Sequence, residues 1–302
     1  MVTTLSSFLT PMSLSTVNVA LPTIAQEFLM NAITLSWVAT AYILTAAALL
    51  MPFGRIADIY GRKKVFIWGT YVFTAASFLL GIAWSGGLLI VFRALQGIGS
   101  AMLFATAMAM LSSAFPPGER GRALGINVAA VYFGLSCGPL LGGVLTQHMG
   151  WRSIFLFNVP LGIVIIVFSL WKLRTEWAES KGEPFDLVGS FIYCAMLVSL
   201  MCGFSMLPGT AGSLLIAAAI AGICIFVAWE LRTSKPILDI ALFRTNKVFT
   251  LSNIAALIHY SATFAVSFLL SLYLQHIKGL SPQATGAVLI SQPLVQAAFS
   301  PI

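Results

Sequence analysis

The chain has 302 residues, 59% of them hydrophobic and only 8% charged, with a formal net charge of +7. A mean hydropathy of +0.96 lies far from the balance of a soluble globular chain and excludes that class. The basic residues are spread over short segments rather than gathered on one face or arm, so they read as membrane topology signals and exclude a nucleic-acid partner. Cys137, Cys194, Cys202 and Cys224 all fall within apolar runs, without metal-ligand spacing or a disulfide framework. They read as small packing residues, and neither metal nor cofactor is expected.

In hydrocarbon every backbone polar group must be satisfied within its own segment, and long uninterrupted apolar runs achieve this as helices rather than as a barrel. The expected fold class is therefore an all-α polytopic membrane protein. At roughly 20 residues per crossing, the runs place spans near 4–26, 33–53, 64–84, 87–114, 122–147, 153–172, 186–206, 211–230, 248–274 and 284–302, ten in all. Between Leu187 and Trp229 there is no charge, yet Pro208-Gly209-Thr210 interrupts the run as a hairpin would. The first span has no basic leader and more membrane directly after it, so no cleaved signal peptide is expected.

Thirteen of the sixteen Lys and Arg residues fall after spans 2, 4, 6 and 8, and the opposite loops hold only Arg152 and Lys278. By the positive-inside rule the even loops and the N-terminus are cytoplasmic, with the protein in the cell (inner) membrane. The remaining basic residue, Arg93, lies within the fourth span. A guanidinium at that depth costs several kcal/mol unless it faces a polar cavity, finds partners or snorkels to an interface.

Three stretches carry more than topology. Between spans 2 and 3 stands Gly54-Arg55-Ile56-Ala57-Asp58-Ile59-Tyr60-Gly61-Arg62-Lys63-Lys64, read as a loop. Anchoring explains its basic triplet but not the rest: Gly54 would admit a neighbouring helix, Asp58 would pair with Arg62 or sit at the positive end of a helix, and Gly61 would permit a turn. In the fifth span Gly134, Gly138, Gly142 and Gly143 offer a smooth face around Pro139, which bends a helix. Gly134, Ser136 and Gly138 also fit a nucleophile-elbow spacing, but no strand precedes them. An intramembrane hydrolase with Ser136 as nucleophile and His148 or His259 as base is the remote alternative from another class, and the chain is read as not an enzyme. Gly150-Trp151-Arg152 opens the sixth span, where Trp151 suits an interface and Arg152 and Asn158 would hold the helix in register.

These stretches resemble the major facilitator superfamily, and within it the fourteen-helix branch of drug:proton antiporters. Residues 54–64 are similar to the motif G-x-L-A-D-x-x-G-R-K with Ile56 in place of leucine, 93–97 to R-x-x-Q-G, and 134–143 to the antiporter motif G-x-x-x-G-P-x-x-G-G. Val17-Asn18-Val19-Ala20-Leu21-Pro22 in the first span and 150–162 at the sixth point to the same branch. The resemblance implies a major facilitator helical bundle: a six-helix first bundle over 1–174, two inserted helices over 175–247, and the first two helices of an incomplete second bundle over 248–302. The chain stops in the apolar run at Ser300-Pro301-Ile302, and a truncated transporter is expected.

The resemblance further implies alternating access with a small-molecule substrate and a proton as partners within the lipid bilayer. Gly54, Asp58, Gly61, Arg62 and Lys63 would form a latch, Arg93, Gln96 and Gly97 the proton-coupling path, and Gly134, Gly138, Pro139, Gly142 and Gly143 the antiporter kink. One departure matters. Ser13 stands where many drug antiporters have aspartate, no Asp or Glu lies deep in a span, and Glu27 is at the outer end of the first. His259, the one histidine at depth, is of the residue type suited to proton coupling, or is a hydrogen-bonded structural histidine. Ser13, Asn18 and Asn127 would line a polar cavity, or join helices without any ligand. The expected function is proton-coupled export of small amphipathic or drug-like compounds; an uncoupled facilitator or metabolite exporter is the alternative, favoured by the missing acid. A membrane sensor or scaffold would carry an appended soluble domain, and the oligomeric state is left open.

Overall fold

Helices account for nearly all of the residues that the computed structural model describes, 2–173, 175–280 and 288–299. They are α1 (Val2–Phe28), α2 (Ala32–Tyr60), α3 (Arg62–Gly81), α4 (Gly86–Ala114), α5 (Pro117–Met149), α6 (Arg152–Leu156), α7 (Asn158–Lys172), α8 (Leu187–Ser205), α9 (Thr210–Glu230), α10 (Ala241–Thr245), α11 (Lys247–Leu272) and α12 (Ser291–Phe299). A π-helical turn, Tyr273–Ile277, follows α11. The starts are set by side chains that satisfy orphan amides: Asn31 accepts from Thr34 N, Ser85 from Leu88 N, Asp186 from Gly189 N and Asn246 from Phe249 N.

Among the described residues eight segments are long and apolar enough to cross a membrane: α1 to α5, α6 with α7 as one crossing, α8 and α9. The ninth expected span is α11. The tenth is described only over 288–299, and the rest of it lies outside the described residues.

The stretch 54–64 is not a loop. Nothing from Arg55 to Tyr60 breaks a helix, so α2 runs on through it. The chain turns at Gly61 alone, which has φ +118°. A Cβ there would also stand 2.5 Å from the Glu176 carboxylate. Trp151 is likewise not an interface anchor. It is 2% exposed, packed edge-on against Phe28 and Phe155, and its indole N–H donates to Glu27 Oε2 at 2.6 Å. Arg152 pairs with Glu27 and donates to Ala83 O, so this corner ties α1 to the α3–α4 turn and to α6.

Helix α1 lies along α5, α2 and α3 both lie on α4, and α7 lies on α3. Two apolar clusters fill the space between them. Leu9, Met12, Phe66, Phe73, Leu103 and Met110 pack toward the α2–α3 turn, and Val17, Ile24, Leu80, Leu89, Trp151 and Phe155 toward the α3–α4 turn. Small residues let the backbones close up, since apolar lipid gives helices little hydrophobic reason to associate. A Cβ on Gly97 would stand 2.6 Å from Tyr42 O, and Cβ atoms on Gly134, Gly138 and Gly142 would collide with Phe8, Ser15 and Thr16 of α1. Gly143 lies off that row, and Gly54 makes no tight approach, a Cβ there being 3.9 Å from Ala105. The helix continues through Pro139. Helices α8 and α9 form the expected hairpin, with α8 against α2, and α12 rests on α5.

Candidate functional site

Three polar features stand out from this apolar frame. The first covers the α2–α3 turn. Arg62, only 7% exposed, pairs with Asp58 one turn back (2.7 Å) and with Glu179 (2.7 Å), and donates to Ser113 at the end of α4. Residues 176–183 fold over the turn. Arg62 N donates to Trp177 O, Ser180 N to Asp58 O and Lys63 N to Glu176 Oε1. Arg55 and Lys235 share Glu183, joining α2 to the segment after α9. The Arg62 guanidinium holds the Glu179 carboxyl below the usual carboxylate range, and Lys235, then Arg55, do the same for Glu183. The Asp58–Arg62 pairing follows from i, i+4 spacing on a helix; the glutamates were missed. Their signal was present, since four of the nine acids crowd into 176–186.

The second feature surrounds Arg93, which is fully buried. Its Nε donates to Val38 O at 2.9 Å, its Nη1 to Gln96 Oε1 at 2.5 Å, and its guanidinium lies 4.3 Å from the centre of the Tyr42 ring. Gln96 Nε2 donates to Ser13 Oγ (3.2 Å) and Ser77 Oγ (2.8 Å), and Asn158 Nδ2 also donates to Ser13 Oγ (3.2 Å). Tyr42 hydrogen-bonds Ser100 and Thr10 O. One uncharged network thus joins α1, α2, α3, α4 and α7 around a buried cation. Arg93 Nη2 and Asn158 Oδ1 have no partner in it, and among the described residues no carboxylate pairs with Arg93. Tyr42 and Ser77 were not foreseen. Each reads as ordinary helix filling until the neighbouring helix is in place.

The third feature is a cavity of about 470 Å³ bounded by α1, α4, α5, α11, residues 289–290 and α12. Ser7, Asn127, Tyr132, Ser136, Tyr260, Thr263, Gln292 and Gln296 supply its polar groups, and Phe104, Met108, Val131, Leu135 and Ile290 much of its apolar wall.

Of the expected cavity residues only Asn127 lines it. Ser13 is wholly buried in the Arg93 network instead. Asn18 is exposed: five residues on from Ser13, it is turned about 140° around α1. His259 is exposed on α11, stacked edge-on with Tyr260, and is not brought to Arg93. Ser136 donates to Tyr132 O one turn back and is hydrogen-bonded to neither His148 nor His259, so no nucleophile–base pair forms.

Apolar helices long enough to cross a membrane, packed around a buried cation and an inter-helix cavity, make this a polytopic helical-bundle membrane protein. Residues 3–302 match the Major Facilitator Superfamily, and the chain belongs to that family. It is 33% identical over 298 residues to the riboflavin transporter RibZ of Clostridioides difficile, covering 98% of this chain and 64% of the relative. It is 32% identical over 293 residues to the multidrug resistance protein Stp of Mycobacterium tuberculosis, covering 95% of this chain and 54% of that protein. The chain thus spans between half and two thirds of the length of these relatives. The crystal structure of the human organic anion transporter MFSD10 (TETRAN) has the same fold, with a TM-score of 0.67 at 14% identity over 99% of this chain and 71% of that one.

Proposed function

We propose that this chain is the substrate-bearing part of a proton-coupled exporter of small amphipathic compounds, working by alternating access in the cell membrane with its N-terminus cytoplasmic. It is a carrier and not an enzyme. The observation that carries the reading is the cavity between α5 and α11–α12, with neutral polar groups set in an apolar wall, the form a carrier of drug-sized ligands requires. The relatives' printed roles, riboflavin transport and multidrug resistance, support small-molecule substrates. On this reading 1–174 is the first bundle, 175–247 the inserted pair and 248–302 the start of the second. Asp58, Gly61 and Arg62, held by Glu179, latch the cytoplasmic side, and the Gly134, Gly138 and Gly142 face is the pivot between α1 and α5.

Arg93 carries the coupling step: a buried charge without a counter-ion makes the energy of its surroundings depend on any proton or ligand that arrives. The absence of an acid beside it supports a second reading, transport without proton coupling. Efflux of a fluorescent amphipathic dye from cells, measured with and without an uncoupler for the wild type and Arg93→Ala, separates the two. The coupled reading expects dye retention under both treatments. Efflux indifferent to the uncoupler but lost in Arg93→Ala would favour the facilitator, and efflux indifferent to both would remove Arg93 from the mechanism.

A further inference from the structure

The cavity's mostly apolar lining carries neutral polar groups but, among the described residues, no ionisable acid or base apart from the tyrosines. Asp58 and Arg62 belong to the α2–α3 turn, and Arg93 is enclosed by its own network. A ligand of either charge would therefore leave water for an apolar wall with no opposite charge to meet it, at a cost that hydroxyls and amides do not return. What the wall does offer is carboxamide. Gln292 and Gln296 stand one helical turn apart on α12 and both line the cavity; Asn127, 2% exposed, lines the same cavity from α5, with its Nδ2 donating to Met108 Sδ. Side chains at i and i+4 on a helix are neighbours, and a carboxamide presents a donor beside an acceptor. The matching ligand edge is likewise a donor beside an acceptor, as in a lactam or imide ring, the way Gln and Asn read a base edge. Tyr132 of α5 and Tyr260 of α11 add aromatic surface on the same cavity.

We infer that this site takes a neutral, planar heterocycle carrying a lactam or imide edge, and that Gln292 and Gln296 select it. The inference rests on the cavity being the transport site. Its consequence is selectivity by charge: the same ring system is accepted when neutral and refused when it carries a phosphate or a fixed positive charge.

The test is equilibrium binding to the purified chain in detergent, read by ligand fluorescence, with three probes: riboflavin, which is neutral and bears an imide edge; flavin mononucleotide, the same rings with a charged phosphate; and ethidium, a planar cation. Riboflavin should bind at least about tenfold more tightly than either charged probe. Gln292→Leu with Gln296→Leu should weaken riboflavin about tenfold through the lost hydrogen bonds. Because an apolar pair at this position could disturb folding, Gln296→Glu is the second variant. It should lower riboflavin affinity and raise that of ethidium, an exchange that unfolding cannot produce. Equal binding of flavin mononucleotide and riboflavin, or riboflavin affinity unchanged in both variants, would overturn the inference. Uptake of bound probes into proteoliposomes is read separately. Riboflavin that binds with this selectivity but does not move upholds the ligand class and sinks the transport reading, whereas dye that moves while riboflavin fails to bind upholds transport and sinks the ligand class.

Discussion

Arg93 and Ser13 together set the most unusual local condition in the molecule. Ser13 Oγ accepts from Gln96 and Asn158, at 3.2 Å each, and Gln96 in turn accepts from Arg93, so position 13 is two hydrogen bonds from a buried guanidinium. A carboxylate at this point would accept from the same two amides and supply the missing negative charge; a removed partner would instead leave an uncompensated buried cation. Ser13→Asp is thus expected to raise the melting temperature in detergent and to make efflux more sensitive to an uncoupler. Arg93→Lys keeps the charge but gives up the planar fork that reaches Val38 O and Gln96 at once, and should cut efflux about tenfold or more while the protein still folds. Melting curves and efflux measured on the same preparations decide both. If Ser13→Asp lowered stability, the network would not be short of negative charge.

At the scale of elements, the α1–α5 contact depends on which glycine is touched. A side chain at Gly138 would run into Ser15, whereas one at Gly143 would meet nothing closer than Val19 at 3.9 Å. Gly138→Val should cost about 1–3 kcal/mol, because the Ser15 side chain, whose Cβ would stand 2.8 Å away, must move aside, and Gly143→Val should be nearly neutral. Thermal melting of the two variants side by side checks this, and equal losses would mean that the helices do not meet along the 134–138–142 row. The clamp over the α2–α3 turn makes a separate, pH-dependent claim. Glu179 and Glu183 have carboxyl groups held below their ordinary range by Arg62 and by Lys235 with Arg55. Their contribution is present above the ordinary carboxylate pKa and is lost as pH falls through the depressed folded values. The Arg62 and Ser180 amides, which bond Trp177 O and Asp58 O, should be protected from hydrogen exchange at neutral pH and lose that protection below about pH 4, after correction for intrinsic exchange. Protection unchanged down to pH 3 would show that the acids do not hold the segment in place.

For the whole molecule, the features legible in the sequence were those with a one-dimensional signature. Apolar run length gave the eight long crossings to within a few residues at most ends, and Pro208-Gly209 marked the α8–α9 hairpin, because both depend only on local hydrophobicity and backbone restriction. The α2 end was misjudged by seven residues because polarity was read as loop, whereas a helix accepts Arg55 and Asp58 once it leaves the hydrocarbon. The cavity and the Arg93 network are three-dimensional objects. Gln292, Tyr132 and Tyr260 lie up to 160 residues apart and carry no shared spacing to announce them. Charge asymmetry is the remaining one-dimensional signal, and it makes a whole-molecule prediction. Single cysteines at Ser180 and Lys235 should be blocked from a membrane-impermeant maleimide in intact cells and labelled after lysis, while one at Gly87 or Pro208 should label in intact cells. The four native cysteines sit within helices, and replacing them with serine or alanine removes their background. The reverse labelling pattern would turn the molecule over in the membrane, and with it the side on which the Arg62 clamp lies.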